Sequence, residues 1–331
     1  MSSLCPTFAS LKTQKYSVLN IGIVGSGFGT VGLLPAFKSV KGCKVVSVCT
    51  NRSQWPALLE RADLDAVAIA VPPQAQYRIA KAAIKKGLHV FAEKPLAATS
   101  AQARELCVLA RKKNITHGID FIFPEIAEWK KVKSLLDSKK FGKLIHVSVQ
   151  WKWQSRDSRL KKWSWRTKIK EGGGALSFYF SHGLYYLEHF AGKIIDAEVL
   201  FLYAKGNPYD GESGFDLNLK FKKGITGSIC LSSDSRGQAR HTLVFTCECG
   251  VIVLENKGAV VDNFIVKTYS VAGEKRVRVP KDKQLKKEDE RVKIVRILAK
   301  RFVRACMRRQ QMVPSFAEGL RIQELIDRIR A

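Results

Sequence analysis

The tightest constraint on the fold is one short passage that runs from strand through a glycine turn into a helix. Val18, Leu19, Ile21, Ile23 and Val24 form a nearly continuous apolar run, the pattern of a parallel strand covered on both faces. Gly25-Ser26-Gly27-Phe28-Gly29 follows at once, and Val31, Leu33, Leu34, Ala36 and Phe37 then recur as in a helix, with Pro35 opening a fresh turn. Lys44 to Cys49 reads as the next strand. This is a βαβ unit with its glycines at the first crossover, where backbone N–H groups at a helix N-terminus can meet a pyrophosphate. Gly25 supplies the tight turn, and a side chain at Gly27 would obstruct the approach. The third glycine comes one place early and leaves Thr30 at its usual position. A glycine turn without a ligand is the plain alternative, but strand before and helix after favour a dinucleotide held by Gly25, Gly27, Phe28 and Gly29.

The end of the second strand bears on which dinucleotide. An NAD site commonly places an acid about 20 residues past the glycines to accept from the ribose 2′-OH, whereas an arginine there accommodates a 2′-phosphate. Here the residues are Thr50-Asn51-Arg52. With no acid present and Arg52 able to make a bidentate contact, NADP is favoured over NAD, the alternative being a solvated loop arginine.

Two further strands, Ala66 to Val71 and Leu88 to Ala92, end in Pro72-Pro73 and in Glu93-Lys94-Pro95. Ligands of open α/β sheets bind beyond the carboxyl ends of the strands, so Pro72, Pro73, Glu93 and Lys94 join the cofactor-site candidates. A helix from Ser100 to Lys112 and a strand from Thr116 to Phe121 complete the unit.

At 331 residues with 46% hydrophobic side chains, two domains are expected. No signal-like apolar run opens the chain and no stretch of about 18 uncharged apolar residues occurs, so a cytoplasmic protein with no membrane role is expected. The eight cysteines show no zinc spacing, and no metal site is expected. Cys247 and Cys249 fall two apart in a strand-like segment, which would put both on one face as small buried groups. The net charge of +28 raises nucleic acid as a partner. Yet in the densest basic stretch the apolar residues Val292, Val295, Leu298, Phe302 and Cys306 recur at helical spacing within a helix from Glu288 to Met307. The cations then line its solvated face, and with no base-reading motif, no specific nucleic-acid partner is expected.

Taken together these residues resemble the Gfo/Idh/MocA family, named for glucose-fructose oxidoreductase, inositol dehydrogenase and a rhizopine-catabolism protein. The resemblance rests on Ile21 to Gly29, Pro35-Ala36-Phe37, Val71-Pro72-Pro73, Gly87 to Pro95, Gly172 to Leu176 with Ser181-His182, and Pro314 to Arg321. It implies an α/β chain: a Rossmann domain over residues 1–121, with 1–16 a loose tail, then an α+β domain over 122–331 built on a large, mostly antiparallel sheet. Strand-like segments at Leu144 to Trp151, Ala197 to Tyr203, Phe215 to Phe221, Ile225 to Leu231 and Thr242 to Cys249 agree with that. An exposed sheet face of this size implies a homodimer or homotetramer. Relatives usually carry a helix and a short strand after the second strand, but Ser53 to Ala62 leaves room for about three helical turns and no strand.

The activity implied is hydride transfer between NADP or NAD and a hydroxyl- or carbonyl-bearing carbon of a sugar, an inositol or a related small molecule. Lys94 matches the family lysine at the substrate oxygen, and His182 matches a histidine that binds that oxygen or shares its proton. The family pattern also has aspartates four residues before and three after that histidine, where this chain has Phe178 and Tyr185. The alternative is therefore a family member that holds cofactor for a structural or sensory role without turnover. Trp165, Arg166 and Tyr185 are the substrate-side candidates, on a wall made aromatic by Phe178, Tyr179, Phe180 and Tyr186.

Overall fold

The apolar runs at the start of the chain pair edge to edge in the computed structural model, which describes residues 18–51, 53–237, 239–258, 261–280 and 288–331. Strands β1 (Leu19–Val24), β2 (Cys43–Cys49), β3 (Ala66–Ile69), β4 (His89–Ala92) and β5 (His117–Ile119) form a parallel sheet in the order β2-β1-β3-β4-β5. The order reverses between β1 and β3. A crevice opens at such a switch point, beyond the carboxyl ends of the strands. The expected tail 1–16, Arg52 and residues 281–287 lie outside the described residues.

The connections are helical. The turn after β1 enters a wide π turn (Gly29–Leu33) that runs into α1 (Leu34–Lys38), with Pro35 in its first turn. Between β2 and β3 the chain forms only α2 (Trp55–Leu59), and β2 is left at the sheet edge. Among the described residues there no strand forms, and the helix is shorter than the three turns the spacing allows. Leu58, Leu59 and Leu64 are all buried, and the chain must turn after Leu59 to bring Leu64 inward. Helices α3 (Pro73–Lys85) and α4 (Ser100–Lys112) follow, α4 capped by the Thr99 side chain, which accepts from the Gln102 N–H.

After α5 (Ala127–Asp137) comes the second sheet: β6 (Leu144–Lys152), β7 (Ile194–Leu202), β8 (Gly214–Phe221), β9 (Thr226–Ser232), β10 (Arg240–Cys247), β11 (Gly250–Asn256), β12 (Ile265–Ser270) and β13 (Gly273–Val277). Its order is β13-β12-β11-β10-β6-β9-β8-β7, with β6 and β9 parallel and every other pair antiparallel. Strands β11, β12 and β13 extend the sheet beyond the strand-like segments expected, and Lys267 of β12 pairs with Glu255 of β11 and Glu274 of β13. Cys249 sits exposed in the β10–β11 turn while Cys247 is buried, so the two sulfurs do not share a face as the spacing suggested.

Short helices α6 (Arg156–Leu160) and α7 (Ala175–Phe178) and the longer α8 (Ser181–Ala191) lie between β6 and β7. The stretch from Leu176 to Phe190 is thus two helices with a break between them. Phe180 folds back over the bare backbone of Gly183, where a Cβ would meet its ring at 2.2 Å, and packs edge-on against Phe215. Helix α9 (Val292–Arg308) starts later than Glu288, because the Glu290 carboxylate accepts the N–H groups of Val261 and Asp262 and Asp289 grips Arg291. Its apolar face is buried as the periodicity requires. Phe302 meets Phe37 of α1 and Phe91 of β4 edge to face, so α9 packs on the first sheet beside α1. The last helix, α10 (Phe316–Arg330), opens on a Ser315/Glu318 capping box, and its Asp327 accepts the Ser100 N–H of α4. The end of the chain therefore returns to bind the first unit to the second.

Candidate active site

The loop after β4 is held from behind. Buried Gln76, on α3, donates its side-chain amide to the carbonyls of Glu93 (2.6 Å), Pro95 (3.0 Å) and Leu96 (3.1 Å), and the Lys94–Pro95 peptide is cis. Lys94 is carried into a cleft of about 590 Å³ between the two sheets. Its Nζ donates to the Phe178 carbonyl at 2.7 Å and stands 4.7 Å from the centre of the Phe178 ring. Burial lowers the Lys94 pKa to about 8, aided by the Arg291 and Arg166 charges and opposed by Glu93 and Asp120. An amine so tuned can accept or deliver a proton near neutrality.

Across the cleft, His182 is the second residue of α8 and 8% exposed. Its ring lies among the edges of Phe121 and Phe123, and its Nδ1 has no hydrogen-bond partner among the described residues. Burial first, then the charge of Lys94, holds it well below the ordinary imidazole range, so it is neutral at pH 7. Trp165 and Arg166 line the same cleft, each against Phe178, with the Arg166 guanidinium 5.2 Å from that ring's centre. Tyr185 does not join them. It stacks on Phe121 at 4.4 Å and lines a separate hollow of about 830 Å³ with Lys130, Arg301 and Arg304. Phe121 fills the space between its ring and the cleft, which removes Tyr185 from the substrate-side set. The larger hollow holds neither the glycine turn nor Lys94.

Several cleft residues give no local signal in the sequence. Asp120, at the end of β5, is 2% exposed and its carboxyl is pushed well above the usual range by burial and by Glu93. Arg291, expected on the solvated face of a helix, precedes α9 instead, with its guanidinium 4.3 Å from the centre of the Phe28 ring and two bonds to Asp289. His241 stacks on Trp151 at 4.3 Å and shares a hydrogen bond with the Tyr186 hydroxyl.

The glycine turn forms the near wall. Gly25 has φ +140°, and a Cβ on it would sit 2.2 Å from the Ala70 carbonyl, so the close approach of β1 and β3 excludes any other residue. At Gly27 a Cβ would meet nothing within 4 Å, which leaves open space in front of the turn for a ligand to approach the backbone. A Cβ at Gly29 would make only ordinary contact, and Thr30 fills the vacated place by donating its hydroxyl to Ser26 and Gly27 carbonyls.

Comparison with known proteins decides the family. A family model described as the oxidoreductase family, NAD-binding Rossmann fold, matches residues 45–121, and one for the GFO/IDH/MocA C-terminal domain matches residues 129–253. The chain belongs to the Gfo/Idh/MocA family. An uncharacterized oxidoreductase of Synechocystis is 27% identical over 264 residues, 71% of this chain and 71% of its own length. The dTDP-3,4-didehydro-2,6-dideoxy-alpha-D-glucose 3-reductase of Streptomyces violaceoruber is 28% identical over 154 residues, 41% of this chain and 45% of its own. Among solved structures, levoglucosan dehydrogenase in complex with NADH and levoglucosan aligns with TM-score 0.82 at 18% identity, over 94% of this chain and 96% of that one. A 3-ketoreductase from Actinomadura kijaniata in complex with NADP aligns with TM-score 0.74 at 19% identity, over 95% and 97%. These two likenesses speak for the fold.

As a Gfo/Idh/MocA protein the chain carries the NAD-binding Rossmann fold of its family. A side hollow of about 240 Å³ extends the Rossmann crevice past the glycine turn, lined by Gly25, Thr50, Trp55, Ala75 and Arg78 among others, with no acid among its lining residues. Asn51 does not face it with its side chain, which instead accepts from the Ser53 N–H and hydroxyl. Pro72 lines the main cleft, whereas Pro73 is buried as the first residue of α3. No helix of the described residues is long and apolar enough to cross a membrane.

Proposed function

We propose that this chain is an NAD(P)-dependent oxidoreductase that transfers a hydride between nicotinamide and a hydroxyl- or carbonyl-bearing carbon of a sugar-like small molecule. The observation that carries the reading is the lowered pKa of Lys94, about 8, in a cleft walled on one side by the open glycine turn and on the other by aromatic rings. Ser26, Gly27 and Phe28 hold the pyrophosphate side, Glu93 and Pro72 the nicotinamide side, and Trp55 and Arg78 the adenosine side. The dinucleotide, when bound, supplies or accepts the hydride. Lys94 takes the proton of a substrate hydroxyl as its carbon is oxidised and returns it in reduction. Neutral His182 orients the same oxygen, and Trp165 and Arg166 pack against the ring that bears it. The acid-free side hollow with Arg78 supports NADP over NAD.

Titration of the purified protein with NADPH and NADH is the direct test, and no binding of either at millimolar concentration overturns the reading. A second reading rests on Phe178. Without a carboxylate there, nothing holds His182 Nδ1, which supports a cofactor-binding protein that does not turn over. Turnover on a panel of sugars and polyols that disappears in Lys94→Ala favours the enzyme. Exposed Ile195, Leu200, Leu202 and Tyr203 on and beside edge strand β7 support a homo-oligomer, which light scattering measures directly.

A further inference from the structure

Asp120 directly follows β5 as Glu93 directly follows β4. The strands are parallel with Ala92 opposite Ile119, and the Asp120 N–H donates to the Ala92 carbonyl at 3.0 Å, so Glu93 and Asp120 stand side by side at the strand ends. Their carboxyl groups lie within reach of each other, and burial together with Glu93 pushes the Asp120 carboxyl well above its usual range. A bond between two carboxyl groups needs a proton on one of them. Asp120 is 2% exposed, whereas Glu93 is half-buried and accepts the Lys94 N–H at 3.1 Å, so of the two the proton belongs on Asp120. The other groups facing the pair are Lys94 on the same loop as Glu93, Arg291 ahead of α9 and His182 on α8, all lining the cleft. One Asp120 oxygen, Oδ1, is buried without a hydrogen-bond partner among the described residues. Buried acceptors are rarely left bare, and one bordering an open cleft marks a place for a donor from a ligand.

We infer that Asp120 is a working residue of this site: a neutral carboxylic acid that donates to Glu93 and presents Oδ1 to a hydroxyl of the bound substrate beside Lys94. Holding its proton also keeps the negative charge facing Lys94 at one carboxylate rather than two, which leaves the amine free to lose its own proton. The substrate contact rests on the dehydrogenase reading; the protonation state does not.

Asp120→Asn and Asp120→Ala separate the possibilities. Asparagine keeps a donor for Glu93 and an acceptor for the hydroxyl, so kcat/KM stays within about threefold of wild type and the pH profile does not move, while alanine loses about tenfold or more, with NADPH affinity unchanged in both. Infrared spectroscopy of the ligand-free protein at neutral pH is expected to show a carboxylic-acid C=O band that Asp120→Asn abolishes. The inference is overturned if wild type lacks that band, if asparagine is as damaging as alanine, or if alanine weakens NADPH binding and spares kcat/KM. Should wild type turn over no substrate, the dehydrogenase reading and the substrate contact fail together, and the infrared band still decides the state of Asp120.

Discussion

Lys94 and Phe178 are joined twice: the amine donates to the phenylalanine carbonyl at 2.7 Å and lies over its ring at 4.7 Å. Both contacts aim the side chain without placing a full negative charge beside it, so burial dominates and the pKa falls to about 8. Only the free amine takes a substrate proton. Oxidation should therefore accelerate as pH rises through about 8, and reduction should slow over the same interval. Lys94→Ala should cost about 10² to 10⁴ in kcat, the usual worth of a positioned acid or base. Steady-state rates in both directions across pH check this, and a flat profile would falsify the role.

Phe178→Asp should reverse the effect of that missing charge. An ionised carboxylate within a few ångströms favours the ammonium form and raises the amine's pKa by about 1 to 3 units. The oxidation profile then moves to higher pH, so that oxidation at pH 7 slows while reduction persists to higher pH. A profile that stays in place in this variant means that some other group titrates.

What the sequence displays is local. The strand–glycine–helix passage and the Glu93-Lys94-Pro95 strand end are legible because periodicity and punctuation act over a few residues. Asp120, Arg291, Gln76 and His241 are not, since each reaches the cleft by strand register or helix docking that joins distant parts of the chain. Tyr185 misleads for a related reason. It lies three residues past His182 on α8 and shares that side of the helix, yet Phe121 packs against it and closes it off from the cleft. The break before Ser181 depends on Phe180 fitting against Gly183, a packing event that no propensity reports.

The requirements met by the first two glycines of the turn are separable. In Gly27→Val the new Cβ meets nothing within 4 Å, so thermal stability should change by less than about 1 kcal/mol while NADPH affinity falls about tenfold or more. Gly25→Ala instead forces a Cβ to 2.2 Å from the Ala70 carbonyl at φ +140° and should destabilise the fold by more than about 2 kcal/mol. Thermal melts and fluorescence titration on both variants measure the contrast. A Gly27→Val protein that binds NADPH normally would remove the turn from the cofactor site.

Acid should loosen β5 from its neighbours, β4 on one side and the C-terminal helix on the other, through two histidines that serve as hydrogen-bond acceptors. His89 Nδ1 accepts the Thr116 N–H at 2.9 Å, and His117 Nδ1 accepts the Phe316 N–H at 3.1 Å while its ring stacks on Phe316. Burial lowers both pKa values to about 4, with the Arg309 charge adding to the effect at His89 and Glu318 opposing it at His117. Below about 6.5 the unfolded chain binds protons that the folded chain refuses, so this part of the stability is present above that pH and is lost progressively as pH falls toward about 4. Asp120 works in the opposite direction, because its raised pKa favours the folded chain as pH falls. The informative quantity is therefore a difference between proteins. His117→Asn keeps an acceptor for the Phe316 N–H but cannot take up the proton, so its melting temperature should fall less between pH 7 and pH 5 than that of wild type, by an amount worth about 1 to 2 kcal/mol. Equal slopes in the two proteins would show that His117 is not a source of the acid sensitivity.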